Sequence, residues 1–256
     1  LMAGMTTLDV TGADEKEMKE MHKQFLTYLI MHEMGHTLGL NHNMKSSQMW
    51  SPAEIHNKEL TRKYGLIGSV MDYPAINIAL DRKKQGDYYT TLAGPYDLWA
   101  IEYGYTQFAE GGEEKGLKTI LARSTDPKLA FGNDGDDMRS PGKAMDPRVN
   151  VNDLTSDAIG YAEERFQLVN SLMGNLVKKY SKEGQSYAEL RYPQLACEVF
   201  LEQESGAAIR SCALRQPCSR HCTTTCMTTW PHSLHSSTNR STGLKRRIRN
   251  RRQRPL

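Results

Sequence analysis

No aspartate or glutamate follows Glu204. All 30 acidic residues precede that point, whereas residues 206–256 hold 11 of the 33 Lys and Arg, leaving 22 basic side chains in residues 1–205. The formal net charge of +3 thus conceals an acidic body and a strongly basic tail. Cysteine is scarce in the body as well. Cys197 stands alone there, while Cys212, Cys218, Cys222 and Cys226 crowd the tail, which excludes an internal disulfide framework for the body and leaves its compartment open. No apolar run reaches the roughly 18 residues of a membrane-spanning helix, so no span is expected, and no signal peptide is visible. At 256 residues the chain has room for one large domain or two small ones.

What is present is concentrated in residues 32–42, His-Glu-Met-Gly-His-Thr-Leu-Gly-Leu-Asn-His. On an α-helix, positions i and i+4 lie one above the other, so His32 and His36 can aim two imidazoles at one ion. Gly39 stands where the chain must turn sharply with positive φ, and that turn brings His42 back as a third ligand. Three neutral imidazoles suit zinc and leave a fourth position for water, the arrangement of a catalytic rather than a closed structural site. Glu33, beside the first ligand, is placed to take a proton from that water, whose pKa zinc lowers to about 7. A bare H-E-x-x-H also occurs on ordinary helices, where the histidines do nothing special. The extended H-E-x-x-H-x-x-G-x-x-H pattern is far more specific.

That extended pattern, followed by Ser69-Val70-Met71-Asp72-Tyr73-Pro74, resembles the metzincin signature with its methionine turn. The resemblance implies that Met71 packs beneath the metal, and that Tyr73 matches the tyrosine with which the astacin and serralysin branches stabilise an oxyanion. Without the resemblance, a lone methionine is a core filler and a turn tyrosine packs its ring and bonds locally. Asp72 departs from the histidine usual between the two. With His42-Asn43 and residues 94–105, Gly-Pro-Tyr-Asp-Leu-Trp-Ala-Ile-Glu-Tyr-Gly-Tyr, residues 1–205 are similar to a bacterial family of large zinc-dependent metzincin-like proteases. The fold implied is the α+β metzincin-like zinc protease fold. Because the metal helix follows Leu1 almost at once, this chain is expected to be a mainly α-helical fragment with the upper β-sheet largely missing. The implied activity is a zinc metalloendopeptidase acting on protein or peptide substrates, in an extracytoplasmic location, secreted or in the periplasm or cell envelope.

Along the chain, residues 1–11 are an apolar lead-in. Asp14 with Glu17 reads as a helix start, and Met18, Met21, Phe25, Leu29, His32 and His36 form one face of a long helix ending at Gly39. His22 is read as a surface or packing histidine. Residues 51–54, Ser-Pro-Ala-Glu, suggest a second start with Pro52 at the first helical position. His56 is read as solvated, and Asn77 and residues 81–84 as loop or surface. Residues 96–105 form a helix capped by Asp97, with Leu98, Ile101 and Tyr105 on one side and Trp99 in the core; by resemblance it packs beneath the metal helix. Residues 110–160 are rich in Gly, Asp, Lys and Pro. The acidic run at 133–137 is a solvated turn or, against the twelve-residue loop pattern, a Ca²⁺ site. Residues 157–180 read as a second long helix.

Three regions follow: a zinc-binding part of the catalytic domain (1–110), a mostly helical subdomain (111–205) and a basic low-complexity tail (206–256), disordered or out of frame. A zinc knuckle from Cys218, His221, Cys222 and Cys226 fits no paired C-x-x-C pattern, and no specific nucleic-acid binding is expected of the run 245–254. Two other functions compete with the endopeptidase. One is a catalytically silent zinc-binding remnant, and the other is nucleic-acid binding through the tail, which would weaken steeply with salt.

Overall fold

The computed structural model describes residues 2–137, 146–181, 183, 184 and 191. The chain divides into two compact units, Leu1–Leu214 and Arg215–Leu256, and every described residue lies in the first. The expectations for the tail, and that for Cys197, lie outside the described residues. Among the described residues there are six α-helices, three short 3-10 turns and no strand: α1 (Met2–Val10), α2 (Glu15–Thr37), α3 (Lys58–Tyr64), α4 (Pro95–Tyr105), α5 (Glu113–Leu121) and α6 (Ala158–Tyr180).

α2 begins as its sequence predicts, with the Asp14 carboxylate accepting the Glu17 N–H at 2.7 Å. Its buried face, however, is rotated from the expected apolar stripe and runs through Met21, Gln24, Tyr28, His32 and Gly35. Leu29 and His36 are exposed. The cause is polar: Gln24 Oε1 accepts the N–H groups of Tyr88 and Tyr89 at 2.6 and 3.2 Å, and its amide donates to Asp87. Burying a glutamine here satisfies loop backbone that would otherwise be orphaned. On the far side Leu26, Ile30 and Met34 are exposed, Ile30 by 62 %.

The main core gathers Leu8 from α1, Met21 and Tyr28 from α2, Trp50 and Ile67 from the loops, and Leu168, Leu172 and Leu176 from α6. α6 fulfils the expectation for 157–180, with Asp157 accepting the Gly160 N–H at 3.1 Å. Several expectations need correction. Residues 51–54 make a single turn, in which the Glu54 carboxylate accepts the Ser51 N–H and hydroxyl, and the helix starts later, at Asn57, whose side chain caps Glu59 and Leu60. Asn77 is buried rather than a surface residue, because its amide donates to the Asp87 and Ile55 carbonyls. His56 is half-buried, and its Nδ1 accepts the Gly86 N–H at 3.3 Å. Leu98 and Tyr105 are exposed, while Trp99 is half-buried and donates to the Ile120 carbonyl at 2.8 Å. Residues 2–10 form a helix the sequence reading did not anticipate, and residues 113–121 form one inside the region expected to be mostly helical.

Candidate metal centre

The three histidines of the motif converge. Their candidate ligand atoms lie within 4.8 Å of one another, with ring centroids 4.8 to 5.4 Å apart. Among the described residues this is the group of His, Cys, Asp and Glu side chains spaced to hold a metal ion. His32 and His36 stand on the last turns of α2. The helix ends at Thr37, and Gly39 adopts φ +82°. Leu40 N–H then donates back to the Gly35 carbonyl and Gly39 N–H to that of His36, both at 3.0 Å, a Schellman closure that only a residue at ease with positive φ completes cheaply. His42 follows directly from that turn.

Each imidazole is held from outside. His32 Nδ1 lies 2.8 Å from the Val70 carbonyl, His36 Nδ1 3.2 Å from that of Leu40, and His42 Nδ1 2.8 Å from Asp134 Oδ2. Carbonyl oxygens only accept, so His32 and His36 carry their proton on Nδ1, and a carboxylate partner imposes the same tautomer on His42. Nε2 is thereby the candidate donor atom of all three, that of His42 accepting the Tyr73 hydroxyl. His32 is 2 % exposed. Burial pushes its pKa down, its bond to Val70 opposes this, and the other two imidazoles add to the lowering, which favours the neutral form.

The turn at residues 69–73 is clamped beneath these rings. The Asp97 carboxylate, near the start of α4, accepts the Ser69 hydroxyl at 2.5 Å and the N–H groups of Val70 and Gly94 at 2.8 Å. Burial raises its pKa while those three donors lower it. Asp97 therefore caps α4 from inside the first turn, and α4 starts at Pro95 rather than at 96. By fixing Val70 it also fixes the carbonyl that orients His32. α4 reaches the end of α2 through the Tyr105 hydroxyl, which donates to the Leu38 carbonyl at 3.0 Å. Met71 is fully buried, and its Sδ lies against Gly35, where any Cβ would overlap it. Asn43 N–H donates to the Met71 carbonyl at 3.0 Å, tying the third histidine's loop to this turn.

Asp72 faces inward, where its Oδ2 accepts the Ser46 hydroxyl and the Ser47 N–H at 2.8 and 2.7 Å. Burial, and next the charge of Asp153, push its pKa well above the usual carboxylate range. Tyr73 points the other way, its hydroxyl donating to His42 Nε2 at 2.7 Å and its ring packing on His32. Glu33 is exposed on α2 beside His32.

The sequence reading named Asp97 only as a helix cap, without its clamp on the turn at residues 69–73, and it missed Asp134. Asp134 carried no signal, since it lay in the run read as a solvated turn or calcium site, and among the described residues those acids do not gather at metal spacing.

The family profile described as Met-zincin matches residues 14–209, from the cap of α2 past the end of α6. No curated protein and no solved structure matches the chain. The match spans α2 with the three histidines, the turn holding the buried Met71, and α6, and the chain belongs to the Met-zincin family.

Proposed function

We propose that the chain is a zinc-dependent endopeptidase in which His32, His36 and His42 hold the metal and Glu33 is the general base. The observation that carries this reading is the common orientation of the imidazoles: with every Nδ1 committed to an oxygen acceptor, three Nε2 lone pairs are left to one shared point. Three neutral imidazole nitrogens are a donor set that zinc accepts. When bound there, zinc supplies Lewis acidity, bringing the pKa of water to about 7 and polarising a carbonyl oxygen.

The chain's own side chains do the remaining work. The Glu33 carboxylate takes the proton of the attacking water and returns it to the leaving amine nitrogen. The Tyr73 hydroxyl, which sits on His42 Nε2, cannot share that lone pair with a ligand bond. Released, it donates to the oxyanion formed on the scissile carbonyl. Met71, seated against Gly35, keeps the helix from settling toward the turn. The α+β fold of the intact family, with a sheet edge that pairs with an extended substrate, and an extracytoplasmic place of action belong to the same proposal and rest on the resemblance.

Zinc-loaded protein incubated with a mixed peptide library, read by mass spectrometry, tests it. Cuts should vanish with a chelator. They should fall by about 100-fold or more in Glu33→Ala, the usual scale of general acid–base assistance, with zinc still bound. Cleavage by Glu33→Ala at the parent rate would sink the mechanism. Zinc binding without any cuts in the parent would favour the silent zinc-binding protein instead.

A further inference from the structure

We infer that Asp134 is a positioning residue for His42, delivered by Asn43; the inference rests on the reading of the three histidines as a metal centre. His32 and His36 find their outer acceptors in backbone carbonyls, one in the clamped turn and one four residues along the chain. His42 lies beyond the helix, and its Nδ1 bonds a carboxylate 92 residues away. A charge-assisted bond of this kind is about twice as strong as a neutral one. It also excludes the tautomer that would put the proton on Nε2.

The approach of Asp134 is built into the fold. Asn43, the residue after His42, is fully buried and grips the incoming segment on both of its polar atoms. Its amide nitrogen donates to the Ala130 carbonyl at 3.0 Å, and its amide oxygen accepts the Gly132 N–H at 3.1 Å. Met44 N–H adds a bond to the Gly132 carbonyl at 2.8 Å. Gly132 lies so close to Val149 that a Cβ there would overlap that side chain. Asn133 Oδ1 then accepts the Gly135 N–H at 2.9 Å, turning the chain so that Asp134 faces the ring. Two adjacent residues thus divide the work: His42 offers the metal ligand, and Asn43 builds the platform that carries its acceptor. The Asp134 side chain is 63 % exposed, so truncating it opens no cavity.

The test measures zinc affinity of the full chain by competition with a chromophoric chelator, in the parent, Asp134→Ala and Asp134→Asn. Asp134→Ala should bind zinc about 10- to 100-fold more weakly, the scale on which such outer partners act, with the metal-free melting temperature unchanged. Asp134→Asn, which keeps an acceptor but no charge, should fall between. Nitrogen-15 imidazole NMR of the metal-free proteins should show His42 protonated on Nδ1 in the parent and as a tautomer mixture in Asp134→Ala. An affinity within about twofold of the parent, or an unchanged His42 tautomer, overturns the inference. A parent that binds no zinc overturns the metal-centre reading beneath it. Tight parent binding that is unaltered in Asp134→Ala overturns the inference alone.

Discussion

Gly35 sits in the last turn of α2 with Met71 Sδ pressed against the place where a side chain would begin. Alanine would gain up to about 1 kcal/mol of helix propensity there, but overpacking a filled site costs about 1–3 kcal/mol. Gly35→Ala is therefore expected to destabilise, and pairing it with Met71→Ala should give a non-additive cycle in urea denaturation. Additive effects would mean that the two do not touch. His56 makes a second residue-scale case. Burial, chiefly, and the Arg165 charge hold its pKa down at about 4, with Glu164 opposing. The folded protein thus binds fewer protons than the unfolded chain between that value and 6.5. The contribution of His56 to stability is complete above 6.5 and is lost as pH falls toward 4. Denaturation at pH 7 and pH 5 should show a loss of up to about 2 kcal/mol that His56→Gln reduces. Because burial also lowers the pKa of His32, a slope that His56→Gln leaves intact would assign the effect elsewhere.

At the scale of elements, α6 was legible and one of its residues was not. Its start, length and apolar spacing follow the sequence, yet Arg165 occupies the buried face, fully enclosed. Its three guanidinium nitrogens have no hydrogen-bond partner among the described residues. What it has is the Tyr161 ring at 4.8 Å and the Glu164 carboxylate at 3.5 Å. A buried charge so thinly compensated costs more than it returns, so Arg165→Met should raise the denaturation midpoint, by about 1–4 kcal/mol in stability. A lowered midpoint would show that the charge is needed. α2 teaches a related lesson. Counting apolar residues alone rotated its buried face, because Gln24 and Tyr28 go inward to serve loop carbonyls and amides, Tyr28 through a 2.5 Å bond to the Asp72 carbonyl.

At the scale of the whole protein, a metal held at the three histidines would be linked to the fold by mass action. Zinc that binds only the folded state stabilises it by about 4 kcal/mol at a thousandfold excess over Kd. Chelation should therefore lower the melting temperature of the parent. His42→Ala, which removes a ligand from a loop rather than a core side chain, should melt at the same temperature with or without chelator. A parent indifferent to chelation would carry no structural contribution from a metal at these histidines.

The sequence by itself determined what depends on neighbours within a few residues: two histidines one turn apart, a glutamate beside them, a glycine able to take φ +82°, and the carboxylate caps of α2 and α4. These follow from the helical repeat and from local backbone freedom, so a linear reading reaches them. Only the tertiary structure decided which distant groups complete the centre. Asp97 clamps Val70 and Asp134 meets His42 across 92 residues of chain. The burial of Asn77, Gln24 and Arg165 was settled the same way. A buried polar group goes where a remote partner or a packing surface is, and nothing in its own neighbourhood records that place.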